Sequence, residues 1–158
     1  MRNVLLLQPE KCVDCRSCQL ACTLKHHGNF SLSKSRIEVL TSPMKFSVPL
    51  TCLQCDDPAC AAVCVVNALS KNPETGIVDY DADKCIGCRM CVAACPFGNI
   101  TYDRESKSVI KCDTCEGDPE CAKFCPTGAI QWIRADLETL ARKKAMSDKF
   151  EQVFGKEA

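Results

Sequence analysis

The chain has 158 residues, and its 20 basic and 20 acidic side chains give a formal net charge of zero. A chain of this length forms one or two small domains. The balanced charge lacks the basic field that nucleic-acid-binding proteins use, so we expect no nucleic-acid partner. Sixteen residues are cysteine, a share that predicts either disulfides or bound metal.

The N-terminal segment predicts a β-strand over Val4 to Leu7. This apolar run is too short for a secretory signal, and no twin-arginine pair precedes it. No apolar stretch reaches the roughly 20 residues that a membrane helix needs, so we expect no membrane span. We therefore expect a cytoplasmic chain with reduced thiols, and disulfides are the least favoured use of them.

The cysteines fall into four sets of four, each opening with C-x2-C and closing with C-x3-C. Three close cysteines on a loop can bind three corners of an iron–sulfur cube, while the fourth lies one helical turn away, about 6 Å along the axis. In bacterial ferredoxins such a fourth cysteine binds the neighbouring cluster. The sets are Cys12, Cys15, Cys18, Cys22; Cys52, Cys55, Cys60, Cys64; Cys85, Cys88, Cys91, Cys95; and Cys112, Cys115, Cys121, Cys125.

Zinc is the main alternative to iron–sulfur clusters. Structural zinc favours two separated C-x2-C pairs, whereas here three cysteines lie within seven residues in two of the sets. Iron–sulfur clusters are therefore the preferred interpretation.

Short elements surround the cysteine sets and indicate an α+β fold of ferredoxin-like modules. Turns at 72–76 and 103–106 predict two hairpins, and "GAIQWIR" predicts a last strand. Helices are predicted at Arg16 to Lys25, Pro58 to Val65, Arg89 to Ala94 and Pro119 to Phe124.

The motifs "CIGCRMCVAACPFGNI" and "KCDTC…CAKFCPTGAI" resemble those of four-cluster iron–sulfur subunits. Those subunits pair with molybdenum or tungsten oxidoreductases, formate dehydrogenases, carbon monoxide dehydrogenases and some hydrogenases. The resemblance covers about residues 3 to 133. It implies two pseudo-symmetric modules, each like a two-cluster ferredoxin: a discontinuous outer module (1–45 and 108–134) and an inner module (46–107). Residues 135–158 would add a C-terminal helical docking arm.

The resemblance also implies four [4Fe–4S] clusters as cofactors, with the fourth cysteines exchanged between sets. The implied ligands are Cys12, Cys15, Cys18 and Cys125 for cluster 1; Cys112, Cys115, Cys121 and Cys22 for cluster 2; Cys52, Cys55, Cys60 and Cys95 for cluster 3; and Cys85, Cys88, Cys91 and Cys64 for cluster 4.

The sequence contains no phosphate loop, nucleophile elbow or H-E-x-x-H motif, so we expect no catalytic residues and no enzyme activity of its own. The expected function is relay of single electrons between a catalytic oxidoreductase subunit and a second redox partner. The resemblance implies a molybdenum or tungsten enzyme as the favoured catalytic partner, in particular a tungsten aldehyde oxidoreductase, and a flavoprotein or ferredoxin is a candidate for the second. The alternatives are a diffusible polyferredoxin and, less favoured, a zinc-stapled interaction module.

Three lysines, Lys11, Lys84 and Lys111, each precede the first cysteine of a set. They could compensate cluster charge, but a solvated lysine at a loop entrance is the preferred interpretation. His26 and His27 precede Gly28, so a capping or loop role at a helix end is preferred to a ligand role.

The tail "ADLETLARKKAMSDKFEQVFGKEA" has apolar residues at helical spacing, including Phe150 and Phe154. A helix packed on the protein's own surface and an arm for docking or self-association are both open, because exposed phenylalanines would be costly on a solitary monomer.

Overall fold

The computed structural model describes residues 3–43 and 46–135. This part of the chain contains short helices and short strands in alternation, which agrees with the predicted α+β class. The strands are β1 (Asn3–Leu7), β2 (Ile37–Thr41), β3 (Ser47–Thr51), β4 (Leu69–Lys71), β5 (Val78–Tyr80), β6 (Ile100–Asp103), β7 (Ser108–Lys111) and β8 (Ile130–Arg134). The helices are α1 (Ser17–His27), α2 (Ala59–Ala62), α3 (Met90–Ala94) and α4 (Glu120–Lys123).

The strands pair antiparallel in four two-stranded ribbons: β1–β8, β2–β3, β4–β5 and β6–β7. Asn3 lies opposite Arg134 and Leu7 opposite Ile130, so the first and last strands of the described chain close on each other. An isolated two-stranded ribbon is only marginally stable in water. The ribbons therefore depend on what packs against them.

The two predicted hairpins are confirmed as β4–β5 and β6–β7. Hydrogen bonds between neighbouring residues stabilise their turns. Asn72 Oδ1 accepts the backbone N–H groups of Glu74 and Thr75 after β4. Asp103 Oδ1 accepts the N–H of Glu105 after β6. Such Asx turns reverse the chain without help from distant residues. The predicted first and last strands are also confirmed as β1 and β8.

The predicted helices exist, but three are shorter than expected: α3 begins at Met90 rather than Arg89, and α2 and α4 are shortened at both ends. Pro58 and Pro119 lie before α2 and α4 with extended backbone angles, so each helix starts one residue later than predicted. The prediction of a helix up to Val65 was wrong, because α2 ends at Ala62. Helix α1 ends where Gly28 takes φ 66° and donates its N–H to the Leu24 carbonyl at 3.0 Å.

Most of the buried apolar residues in the described ranges fall into two separate cores. One joins the start and the end of the described chain and contains Cys18, Cys22, Ile37, Val39, Cys121 and Ile130. The other comes from the middle of the chain and contains Leu69, Val78, Cys91, Ile100 and Val109. Cysteine side chains are part of both cores, so apolar packing and the thiols share the same interior.

Across the described ranges, every helix falls short of the length and apolar character needed to cross a lipid bilayer. The C-terminal arm predicted for residues 135–158 lies outside the described residues from position 136 onward.

Candidate iron–sulfur centres

The structure gathers the sixteen cysteines into four thiol groups, and in each group three members come from one sequence set and the fourth from another. Cys22 lines a cavity with the first three cysteines of set four. Cys95 joins those of set two, and Cys64 joins those of set three. In the remaining group, the charges of Cys12, Cys15 and Cys125 act on the Cys18 thiol. Thiol group 1 is Cys12, Cys15, Cys18, Cys125; group 2 is Cys22, Cys112, Cys115, Cys121; group 3 is Cys52, Cys55, Cys60, Cys95; group 4 is Cys64, Cys85, Cys88, Cys91.

The exchange follows from the short helices. Helix α1 carries both Cys18 and Cys22, one turn apart, so it supplies one thiol to group 1 and one to group 2. Helix α4 carries Cys121, and Cys125 follows its end, so α4 does the same in the opposite sense. Helices α2 and α3 repeat the arrangement between groups 3 and 4. Each pair of helices therefore holds two thiol groups side by side.

The interactions between their thiols order the four groups as a row, 1–2–3–4. Groups 1 and 2 meet where the charge of Cys18 acts on the Cys121 thiol. Groups 2 and 3 meet where the charge of Cys52 acts on Cys112. Thiols of groups 3 and 4 pack against one apolar core. The two cysteines that are exposed, Cys15 and Cys88, belong to groups 1 and 4, at the two ends of the row.

The same backbone conformation recurs in all four cysteine sets. The third residue of each C-x2-C unit has a left-handed conformation: Asp14 (φ 58°), Gln54 (φ 51°), Gly87 (φ 68°) and Thr114 (φ 58°). Alternation of right- and left-handed residues turns successive N–H groups toward one side, which creates a concave site for an anion. The recurrence with four different side chains shows that the backbone fold, rather than a side chain, is the common feature.

Backbone N–H groups also approach the sulfurs. Arg36 N lies 3.3 Å from Cys22 Sγ, Ala68 N lies 3.2 Å from Cys64 Sγ, and Thr114 N lies 3.4 Å from Cys112 Sγ. Donors at a sulfur favour the thiolate, which is the form that binds metal.

Burial acts in the opposite direction on most of the thiols. It raises the pKa of the Cys18 thiol from 9.0 to about 12 and raises that of Cys121 further. A buried thiolate without a nearby cation is costly. At Cys125 burial also raises the pKa, but the backbone N–H of Ile130 and the Thr127 hydroxyl outweigh it and leave a net lowering. Sites with four such thiols fit a cofactor that supplies positive charge, as the core of a [4Fe–4S] cluster does.

Sequence reasoning missed the surroundings of group 2. Burial, reinforced by the charge of Arg36, lowers the pKa of His26, while Asp113 acts against this. The side chain of His26 is 12% exposed, and its Nε2 lies 3.5 Å from Cys115 Sγ and 3.5 Å from Asp113 Oδ1. Arg36 pairs with the same carboxylate. Gly28 is the C-cap of α1, and both histidines lie in the last turn of this helix, so the expected position at a helix end is confirmed. His26 contacts group 2 from there, whereas His27 is exposed. The sequence near His26 carries no signal for this contact. Only a comparison of homologous sequences could have related His26 to Cys115, which lies 89 positions away.

The preferred interpretation of the three lysines holds for two of them. Lys11 and Lys84 are exposed, and Lys84 pairs with Asp81 at 2.8 Å. Lys111 is different, because it is 3% exposed and its ammonium group is fully inside the protein. A solvated Lys111 was therefore a wrong expectation. Strand β7 extends through Lys111, and its pairing with β6 turns this residue inward.

Short helices, antiparallel ribbons and four sites of four thiols define a ferredoxin-type iron–sulfur protein. Comparison with known proteins gives the family: residues 44–135 match the 4Fe-4S dicluster domain and residues 9–25 a 4Fe-4S binding domain. The chain belongs to this family of [4Fe–4S] proteins.

Individual relatives are electron-transport proteins or oxidoreductase subunits by name. The putative electron transport protein YsaA of Escherichia coli is 35% identical, covering 91% of this chain and 96% of that protein. The polyferredoxin-like subunit of aliphatic sulfonate oxidoreductase from Pyrococcus furiosus is 42% identical, covering 77% and 70%. The beta subunit of NADH-dependent phenylglyoxylate dehydrogenase from Aromatoleum evansii is 36% identical over 83% of this chain, which spans 30% of that subunit.

Among solved structures, a chain of the active site complex BamBC of benzoyl coenzyme A reductase, in complex with zinc, superposes with a TM-score of 0.51. The match covers 97% of this chain and 91% of that chain at 23% identity. At this identity the likeness concerns the fold.

Proposed function

We propose that this chain is an electron-transfer subunit that carries four [4Fe–4S] clusters, one on each thiol group. Cluster 1 takes Cys12, Cys15, Cys18 and Cys125; cluster 2 takes Cys112, Cys115, Cys121 and Cys22; cluster 3 takes Cys52, Cys55, Cys60 and Cys95; cluster 4 takes Cys85, Cys88, Cys91 and Cys64. The observation that carries the proposal is the row of four thiol groups, with an exposed cysteine at each end. When bound, each cluster supplies a one-electron redox couple.

The protein's own contribution is to hold the four thiol groups in fixed positions. Helices α1 and α4 hold groups 1 and 2 beside each other, and α2 and α3 hold groups 3 and 4. The apolar cores exclude water from the inner sulfurs, and the loops expose Cys15 and Cys88. Redox partners therefore approach at groups 1 and 4, and substrate chemistry belongs to a partner.

We also propose a division into two pseudo-symmetric modules. The outer module comprises residues 1–45 and 108–134 and the inner module residues 46–107. The two separate cores support this division. The boundaries lie within the ribbons β2–β3 and β6–β7, so the modules share these two hairpins.

For the partner we propose the catalytic subunit of an oxidoreductase, with a molybdenum or tungsten enzyme favoured. The names of the Pyrococcus and Aromatoleum relatives, both oxidoreductase subunits, support a complex of this kind. A flavoprotein or ferredoxin would be the second redox partner. Residues 135–158 are the proposed docking or self-association arm, and co-purification of the full chain against a chain ending at residue 134 tests it.

A diffusible polyferredoxin is the second candidate function. It is favoured by the correspondence of this chain to almost the whole length of YsaA, which is named as a putative electron transport protein. The two functions differ in their behaviour on native purification. A subunit co-purifies with a catalytic protein in fixed stoichiometry, whereas a diffusible carrier elutes alone and reduces several acceptors.

The decisive experiment is anaerobic purification with metal and sulfide analysis. Four cubanes require about sixteen irons and sixteen acid-labile sulfides per chain. The reduced protein should give electron paramagnetic resonance (EPR) signals of interacting [4Fe–4S] clusters. A colourless protein with zinc and no labile sulfide would refute the proposal and favour the zinc-stapled module.

A further inference from the structure

Lys111 places a positive charge in the interior between thiol groups 2 and 3. It is the last residue of β7 and directly precedes Cys112 of group 2. Its ammonium group donates to the carbonyl of Val78 at 2.6 Å, to the carbonyl of Cys112 at 2.8 Å and to Gln54 Oε1 at 3.3 Å. Within the described part of the chain, none of these partners is a carboxylate.

A buried ammonium group without an anionic partner is unfavourable even when carbonyl oxygens accept its hydrogens. Its charge acts on thiols of the groups on either side. Burial raises the pKa of the thiols of Cys112 and Cys60, and the charge of Lys111 lowers both. Cys112 belongs to group 2 and Cys60 to group 3, so one ammonium group acts on both groups.

Lys71 adds a second cation on the side of group 3. At the end of β4, its ammonium group donates to the carbonyls of Cys55 at 2.5 Å, Gln54 at 2.9 Å and Gly76 at 2.8 Å. Burial raises the pKa of the Cys55 thiol, and the charge of Lys71 lowers it. Lys71 also lies 3.9 Å from the exposed carboxylate of Asp56, so its charge is partly compensated.

Gln54 joins the two lysines. Its backbone carbonyl accepts from Lys71, its side-chain oxygen accepts from Lys111, and its Nε2 donates to the Cys112 carbonyl at 2.9 Å. Gln54 is also the left-handed residue of the second C-x2-C unit. The two ammonium groups are therefore fixed to the same loop that surrounds group 3.

We propose that Lys111, assisted by Lys71, is a positioning residue that raises the reduction potentials of clusters 2 and 3 above those of clusters 1 and 4. The proposal rests on the function proposed above. One-electron reduction lowers the core charge from 2+ to 1+, so a cluster with four thiolates goes from a net charge of about 2− to about 3−. A fixed cation stabilises the more negative state more strongly, and burial prevents water from screening it.

The other lysines in equivalent sequence positions provide the contrast. Lys11 precedes group 1 and Lys84 precedes group 4, and both are exposed to solvent. Exposed charges of this kind are screened and contribute little. The two inner clusters are therefore expected to hold an electron more firmly than the outer ones.

The test is a redox titration of the full-length protein with dithionite and mediators, monitored by EPR spectroscopy. Lys111→Met should lower the midpoints of two of the four one-electron components, each by at least a tenfold change in reduction equilibrium constant, which is about 59 mV. Lys71→Met should lower one component. Lys111→Arg should retain the wild-type midpoints, and Lys11→Met and Lys84→Met are the matched controls, expected to leave all four unchanged.

Iron and sulfide counts separate the possible failures. Wild-type protein without about sixteen irons would refute the proposed function itself. Full iron content in Lys111→Met with unchanged midpoints would overturn this inference alone. If Lys111→Met does not fold, the redox titration of Lys71→Met is the deciding measurement. One lowered midpoint in that variant supports the inference, and four unchanged midpoints overturn it.

Discussion

His26 and Cys115 are 89 positions apart in the sequence, yet His26 Nε2 lies 3.5 Å from Cys115 Sγ. The last turn of α1 brings the imidazole to group 2. When Nε2 carries its hydrogen, it donates toward the sulfur. A hydrogen bond to a cluster ligand stabilises the more negative, reduced state.

His26→Phe should therefore lower the midpoint of one redox component, by up to about 59 mV, and speed iron release to a chelator. His27→Phe is the matched control, because His27 is its exposed neighbour on the same turn. EPR-monitored titration and the rate of loss of visible absorbance provide the two measurements. Equal effects of the two substitutions would show that the contact between His26 and Cys115 influences neither the midpoint potential nor the rate of iron release.

Double substitutions can test which cysteines share a cluster. In the proposed arrangement, Cys22→Ala combined with Cys112→Ala removes ligands of one cluster, so the double variant should lose no more than either single one. Cys18→Ala combined with Cys22→Ala removes ligands of two clusters, although both residues are on α1. It should lose up to about eight irons rather than about four.

The readout is iron content together with the number of EPR components in the reduced protein. If each sequence set bound its own cluster, the two double variants would exchange their results. Circular dichroism of each variant identifies general unfolding, which would otherwise imitate the loss of two clusters.

Gly87 combines a left-handed backbone with a close neighbour. Its φ is +68°, and a Cβ there would meet the Lys107 carbonyl oxygen at 2.9 Å. Gly98 has a similar φ of +64° but nothing within 4 Å. Gly98→Ala should cost about 1–2 kcal/mol for the backbone conformation, whereas Gly87→Ala should cost about 2–5 kcal/mol because the clash adds to it.

The measurement is the temperature at which half of the cluster absorbance is lost under anaerobic conditions. We expect a clearly lower value for Gly87→Ala than for Gly98→Ala. Similar values would mean that the turn between β6 and β7, which contains Lys107, moves away from Gly87 without a cost in stability.

Cluster retention should depend on pH in a direction set by the thiols. Burial raises the pKa of Cys18 to about 12, and also raises those of Cys60 and Cys91. Binding iron removes these protons, so each bound ligand is in competition with protonation. Because the raised pKa values lie above 9.0, apparent iron affinity should still increase between about pH 7 and pH 9 and decrease toward pH 6.

Equilibration with a chelator whose own pH dependence is known measures this directly. The retained iron should increase with pH across the whole range. A plateau beginning near pH 7 would mean that the thiols of the metal-free protein are already ionised there.

The parts of the fold that could be predicted have local causes. The turns at Asn72 and Asp103 and the end of α1 at Gly28 depend on residues within a few positions. The ribbon β2–β3 was not predicted, because Leu40 is exposed on an otherwise alternating strand and Pro49 interrupts its partner. Residues 28–51 therefore gave no clear strand pattern.

The features around the thiols that were missed depend on long-range packing. Cysteine spacing indicates which residues can bind metal, but not which side chains lie beside them. The inward direction of Lys111 follows from the β6–β7 register, and the contact of His26 with Cys115 follows from the packing of α1 against α4. Neither has a signal at a fixed distance along the sequence.

The pairing of β1 with β8 also fixes an order of events during synthesis. Cys95, which completes group 3, leaves the ribosome thirty residues before Cys125, which completes group 1. At about 5–20 residues per second, this interval is roughly 1.5–6 s. Groups 3 and 4 thus have all eight thiols available before β8, the partner strand of β1, has been synthesised.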